Sequence, residues 1–258
     1  MSENAERVLP SEPMPTLVHC AYHKCLTVYV DRCFNRLLGD NFQNFFSDQA
    51  AFYARHHLVA LSATSDFVPD VSRLGDYRIS RFIRDPRDLV VSGYFYHRRG
   101  GEEWTLQTPD KWTWVGNIPK GMRSDESFSE HLQRLDQEDG LIAEIELRMH
   151  DFKTMVQWPT DDPAIKTWKY EDIIGHEVEI MDQVGEHYGW PEDTEPFSLR
   201  QDLRRWAERW RAKQTNEWET HVRDPRPGQW RKVFTPKVQA AFERMCGDLP
   251  TLLGYEAW

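Results

Sequence analysis

The sequence predicts an α/β fold, a P-loop-like, three-layer α/β/α domain built on a central, mainly parallel sheet. Three observations lead there. The stretch Thr16 to Leu38, TLVHCAYHKCLTVYVDRCFNRLL, opens on an apolar run of strand length and closes with Val30, Cys33, Phe34 and Leu37 at helical spacing. Two more strand-like runs, Leu58 to Ala63 and Tyr77 to Arg84, follow at separations that hold helices, the pattern of parallel βαβ units. With 258 residues the chain has room for one large core. We divide it into a flexible arm, residues 1–14, polar and proline-rich, and one domain, residues 15–258.

The first strand runs from Leu17 to Tyr22, a turn carries His23 and Lys24, and a helix follows. A helix start leaves backbone N–H groups unpaired at the positive end of its dipole, which attracts phosphate or sulfate. Lys24 adds a full charge there and Thr27 a hydroxyl. Asp40 to Arg55 is rich in aromatics (Phe42, Phe45, Phe46, Phe52, Tyr53) and reads as core or as the border of a pocket.

After the strand Tyr77 to Arg84 comes RDPRDLVVSGYFYHRR, Arg84 to Arg99. Pro86 suits a first-turn position, Asp85 can cap, and Leu89, Val90 and Tyr94 mark a helix. Arg84 at the strand's carboxyl end and Ser92 two turns into the helix can converge on one anion, because open parallel sheets bind ligands there. Gly100 to Ser124 is long, tryptophan-bearing and without period, as binding loops and lids are. Helices are expected at Ser124 to Leu135, Gly140 to Trp158, His176 to Tyr188, Leu199 to Thr215 and Lys237 to Leu253, with a short strand at Ile165 to Tyr170. Between Arg200 and Lys232 ten Lys or Arg face five Asp or Glu, a basic stretch suited to a phosphate.

The net charge of −10 argues against a nucleic-acid partner, and a basic pocket inside an acidic chain points to a small anionic ligand. The four cysteines show no paired spacing and read as reduced thiols, so a cytoplasmic location is expected. HCAYHKC lacks a following ligand group, and no metal is expected. No apolar run of about 18 residues occurs, so no membrane partner is expected.

Four segments in order, AYHKCLTVY, RFIRDPRDLVVSGYFYH, KYEDI and RDPRPGQWRKVFT, resemble the sulfotransferases that use 3′-phosphoadenosine 5′-phosphosulfate (PAPS). The resemblance implies the sulfotransferase fold and PAPS as co-substrate. The acceptor would be a hydroxyl or amine of a small molecule or glycan, and adenosine 3′,5′-bisphosphate (PAP) the product. It places Lys24 on the 5′-phosphosulfate, with Thr27 and the local backbone of His23, Cys25, Leu26 and Val28 cradling the same group. Tyr29 would stack on adenine, Arg84 and Ser92 would grip the 3′-phosphate with Arg223 and nearby Arg226, and Tyr170 would approach the adenine edge.

Departures from the family pattern are specific. Leu26 stands where glycine is common, Asp224 and Pro225 replace a lysine and a glycine, and LSATSDF lacks the catalytic histidine of cytosolic members. The acceptor's proton then needs another base, for which Asp66 is the first candidate and His57 the second. The FTPKV region carries a trace of a dimer motif, so a homodimer is one expectation. Two other readings stay open, a P-loop-like nucleotide kinase and a nucleotide- or carbohydrate-binding module without turnover. The kinase pattern GxxxxGK[ST] is absent.

Overall fold

A computed structural model describes residues 15–112, 117–192, 199–214 and 224–258. The proposed arm, residues 1–14, lies outside the described residues, as does Arg223. Five strands, β1 (Thr16–Ala21), β2 (Phe42–Asn44), β3 (Leu61–Ser65), β4 (Tyr77–Ile83) and β5 (Ile165–Lys169), form one sheet in the order β2-β3-β1-β4-β5. Every pairing is parallel. Central β1 is buried on both faces from Leu17 to Ala21, which is why it reads as a continuous apolar run rather than an alternation.

The helices are α1 (Thr27–Leu38), α2 (Gln49–Arg55), α3 (Pro86–Arg98), α4 (Phe128–Arg134), α5 (Gln137–Leu147), α6 (Met149–Met155), α7 (Tyr170–Ile173), α8 (Glu177–His187), α9 (Leu199–Gln214), α10 (Trp230–Val233), α11 (Pro236–Cys246) and α12 (Leu249–Leu252). One core joins α1, α8 and α9 to the sheet through Tyr29, Cys33, Phe34, Met181 and Leu203. A second gathers α3, α5, α6 and α11 around Leu89, Leu141, Phe152 and Phe242. The helices after neighbouring β1 and β4 thus belong to different cores. Their two turns follow neighbouring parallel strands at the carboxyl edge of the sheet, the usual ligand position of a doubly wound sheet.

Several boundaries differ from the sequence reading. The third strand starts at Leu61, because His56–Leu58 closes as a 3-10 turn. The segment Asp40 to Arg55 holds edge strand β2, too short to show a period. The helix expected at 140–158 starts at Gln137 and breaks at Arg148, and the closing helix breaks at Gly247, whose φ of 55° favours glycine. Cys20, Cys25 and Cys33 are buried free thiols, and burial raises Cys20 to about 12.

Candidate active site

Strand register sets the site. Ala21 pairs with Phe82 and with Ser65, and Ile83 pairs with Lys169. The residues just beyond those pairs, His23 and Lys24, Arg84, Asp66 and Tyr170, therefore emerge along one edge.

The β1–α1 turn contains two left-handed residues, Lys24 at φ 63° and Leu26 at φ 66°. Leu26 thereby takes the backbone shape for which glycine is favoured, a conformation costing a non-glycine residue about 1–3 kcal/mol. Its side chain packs against the first core, and as N-cap it gives α1 no side-chain hydrogen bond. The first turn of α1 has no acidic residue, so its dipole is open to an external anion. Lys24 Nζ lies 3.5 Å from the centroid of the Tyr96 ring, and burial pulls its ammonium down to about 8 against the opposing charge of Glu102. Cys25 is fully buried and offers only backbone, while Val28 is exposed on α1.

The β4–α3 turn shows what RDPRD does. Asp85 caps α3 through the Arg87 N–H and accepts two more bonds from the Arg87 guanidinium, at 2.9 and 2.8 Å. Asp88 accepts from the Gly228 and Trp230 N–H groups and so fastens the carboxyl-terminal loop to α3. Arg84 is left over. It is 4% exposed, its carbon Cζ lies 4.1 Å from the Tyr170 ring centroid, and Nη1 donates to the Lys24 carbonyl at 3.4 Å. Its Nε and Nη2 are buried with no hydrogen-bond partner among the described residues. Such a group is normally satisfied, so this one awaits an acceptor. Ser92, half-buried, lies one helical turn before Tyr96 and so on the face that meets Lys24.

Other expected residues fall differently. Tyr29 is buried and enclosed by Trp206 and Trp210, with ring centroids at 4.7 and 5.0 Å. Tyr170 donates to the Pro225 carbonyl at 2.9 Å and supports Arg84 with its ring face. Arg226 is 79% exposed and bound by two contacts to Asp224. The basic stretch is partly neutralised, since Arg200 and Arg204 each pair with Asp182 of α8. Trp104 and Trp112 pack against the second core rather than forming an open aromatic face.

His57 is displaced outright from the role of second candidate base. It precedes β3 at the amino edge, whereas the turn of Lys24 follows β1 at the carboxyl edge, and the strands run parallel. A strand of this length separates them by more than 10 Å. Asp66 does stand at the right edge, left-handed at φ 65°, accepting from the His23 N–H at 3.4 Å. Burial and the neighbouring charge of Asp151 raise its carboxyl to about 8, so at neutral pH it mostly holds a proton.

The sequence reading missed His97 and Glu144. His97 Nδ1 lies 2.8 Å from Glu144 Oε2, and both residues are fully buried. Arg148 joins Glu144 at 3.2 Å and Asp151 at 2.9 Å. His23 Nε2 lies 2.9 Å from His97 Nε2, and His23 Nδ1 lies 3.4 Å from Glu102. His23, His97 and Glu102 could together offer three ligand atoms to a metal, but the Arg148 guanidinium lies 3.3 Å from the same His97 nitrogen and repels a cation. The available signal was Gly93, one turn before His97. A Cβ there would overlap the Glu144 carboxyl group. Gly93→Ala should therefore lower stability by about 1–3 kcal/mol in chemical denaturation, the usual cost of overpacking.

No protein-family model matches the sequence, and no curated protein matches it. Among solved structures, the chain is similar to mouse sulfotransferase SULT7A1 complexed with PAP. The TM-score is 0.54 at 15% identity, over 91% of this chain and 84% of that one. Retinol dehydratase in complex with androsterone and inactive cofactor PAP aligns over 93% and 82%, with a TM-score of 0.47 at 14% identity. The SULT7A1 likeness, with the five-stranded parallel sheet and its flanking helices, shows that the chain has the sulfotransferase fold.

Proposed function

We propose that the protein transfers a sulfuryl group from PAPS to a hydroxyl or amine of a small-molecule or glycan acceptor, releasing PAP. The observation that carries this reading is the pair of cationic centres side by side at the carboxyl edge of the sheet. Lys24 stands at a helix start with no side-chain cap, and in buried Arg84 beside it Nε and Nη2 have no hydrogen-bond partner among the described residues. Two cationic centres suit the two phosphate-bearing ends of a doubly phosphorylated adenosine. The fold agrees with this reading.

In this reading the α1 amides and Thr27 hold the 5′-end, and Lys24 stabilises charge on the leaving oxygen. Arg84 and Ser92 hold the 3′-phosphate. Sulfuryl transfer resembles phosphoryl transfer, in which positioning and electrostatics do most of the catalysis. The unpaired cysteines support a cytoplasmic location. No helix among the described residues is long and apolar enough to cross a membrane.

The test is thermal denaturation with PAP and with AMP. PAP should raise the melting temperature far more than AMP, since the 3′-phosphate adds charge-assisted bonds of about 1.5–3 kcal/mol each. Equal shifts would remove Arg84 and Ser92 from the proposed site.

A further inference from the structure

We propose that His23 is the general base for the acceptor, its Nδ1 lone pair aimed beside Lys24 by the buried pair His97 and Glu144. This rests on the sulfuryl-transfer reading and supplies the base that LSATSDF lacks.

The hydrogen-bond network assigns the tautomers. Burial alone would raise the Glu144 carboxyl, but His97 and Arg148 outweigh it and keep it ionised. His97 Nδ1 therefore carries a hydrogen and donates it to Glu144 Oε2. Burial also keeps His97 neutral, so its Nε2 is an acceptor, approached by Arg148 Nη2 at 3.3 Å and His23 Nε2 at 2.9 Å. The proton between the two imidazoles then belongs to His23 Nε2. His23 is itself held neutral by burial and by the charge of Arg148, which leaves Nδ1 as a bare lone pair.

That nitrogen faces Glu102 Oε1 at 3.4 Å. Two acceptors this close leave a place beside the pair for a donor that reaches both, which a hydroxyl or amine N–H would fill. The His23 and Tyr96 rings lie 6.4 Å apart, and Lys24 sits over the same Tyr96 ring, so base and cation border one aromatic wall. The groups facing His23 are Lys24 in its own turn, Asp66 after β3, His97 on α3, Glu102 beyond α3, and Arg148 between α5 and α6.

For a hydroxyl acceptor the step balances as follows. The acceptor O–H bond breaks as its oxygen bonds to sulfur, and the proton passes to His23 Nδ1. The bond from sulfur to the 5′-phosphate oxygen breaks, and its electron pair stays on that oxygen beside Lys24. The imidazolium then releases its proton to water past Glu102, whose side chain is 30% exposed. His97 and Glu144 touch no substrate and act as positioning residues.

Nitrogen NMR of the histidine side chains in the full-length chain at neutral pH should find His97 as the Nδ1–H tautomer and His23 as Nε2–H. His23→Gln should lower kcat by about 100- to 10,000-fold, the usual range for a general base, while keeping the PAP melting shift. His97→Gln, whose carbonyl can accept from His23, should retain more turnover than His97→Phe. The acid limb of kcat/KM should lie below the ordinary histidine range. An Nδ1–H or imidazolium His23, or a His23→Gln variant with unchanged kcat, overturns the assignment. So does activity lost to a chelator and restored by zinc. If wild-type protein shows neither a PAP shift nor transfer, the sulfuryl-transfer reading fails and this inference with it. An active, PAP-binding wild type with an active His23→Gln variant strikes the base assignment alone.

Discussion

Lys24→Ala should lower kcat by about 100- to 1000-fold, the cost of deleting one preorganised stabiliser of developing charge. The side chain has little structural work to lose. Its ammonium rests over the Tyr96 ring, a contact of about 0.5–2 kcal/mol, so the variant should fold and keep a measurable PAP melting shift. The acting form is the ammonium, and burial has lowered its pKa to about 8. Deprotonation in the free enzyme therefore removes the active form as pH rises, and kcat/KM should fall above about pH 8. A steady-state profile against pH checks both statements. A Lys24→Ala variant with near-normal turnover would strip the residue of its role.

Arg84→Ala should weaken PAP on the order of 100-fold, because two charge-assisted hydrogen bonds of at least about 1.5 kcal/mol each are lost. AMP affinity should hardly change. The free protein should be no less stable, which is unusual for a residue only 4% exposed. Arg84 is a buried cation whose Nε and Nη2 have no hydrogen-bond partner among the described residues, so its removal relieves a desolvated charge, offsetting the lost stacking on Tyr170. Binding calorimetry with both nucleotides, beside a denaturation curve, separates the two effects. Equal losses for PAP and AMP would place Arg84 elsewhere than on the 3′-phosphate.

What the sequence disclosed was mostly local chemistry. The strand, lysine turn and helix of Thr16 to Leu38 were legible because burial period and helix-start signals lie within one stretch, and the Asp85 cap with Pro86 at the start of α3 is equally short-range. The Asp88 clamp on Gly228 and Trp230 joins residues 140 and 142 positions apart, and no local pattern announces it. His97 and Glu144 stayed hidden for a related reason. Periodicity assigns polar helical residues to the solvent face, yet these two compensate each other inside the core. His57 was proposed from nearness in sequence to β3, and the parallel pairing sends it to the opposite edge. Edge strand β2 spans three residues with only Phe42 buried, too few to reveal a period.

The central claim is that the carboxyl edge of the sheet, at the β1–α1 and β4–α3 turns, holds both phosphates of a single nucleotide. A crystal structure of the protein with PAP tests it directly. The 5′-phosphate should lie against the turn of residues 24–27 and the 3′-phosphate on Arg84 Nε and Nη2 with Ser92. A nucleotide bound elsewhere, with those two Arg84 groups still unsatisfied, would contradict the account.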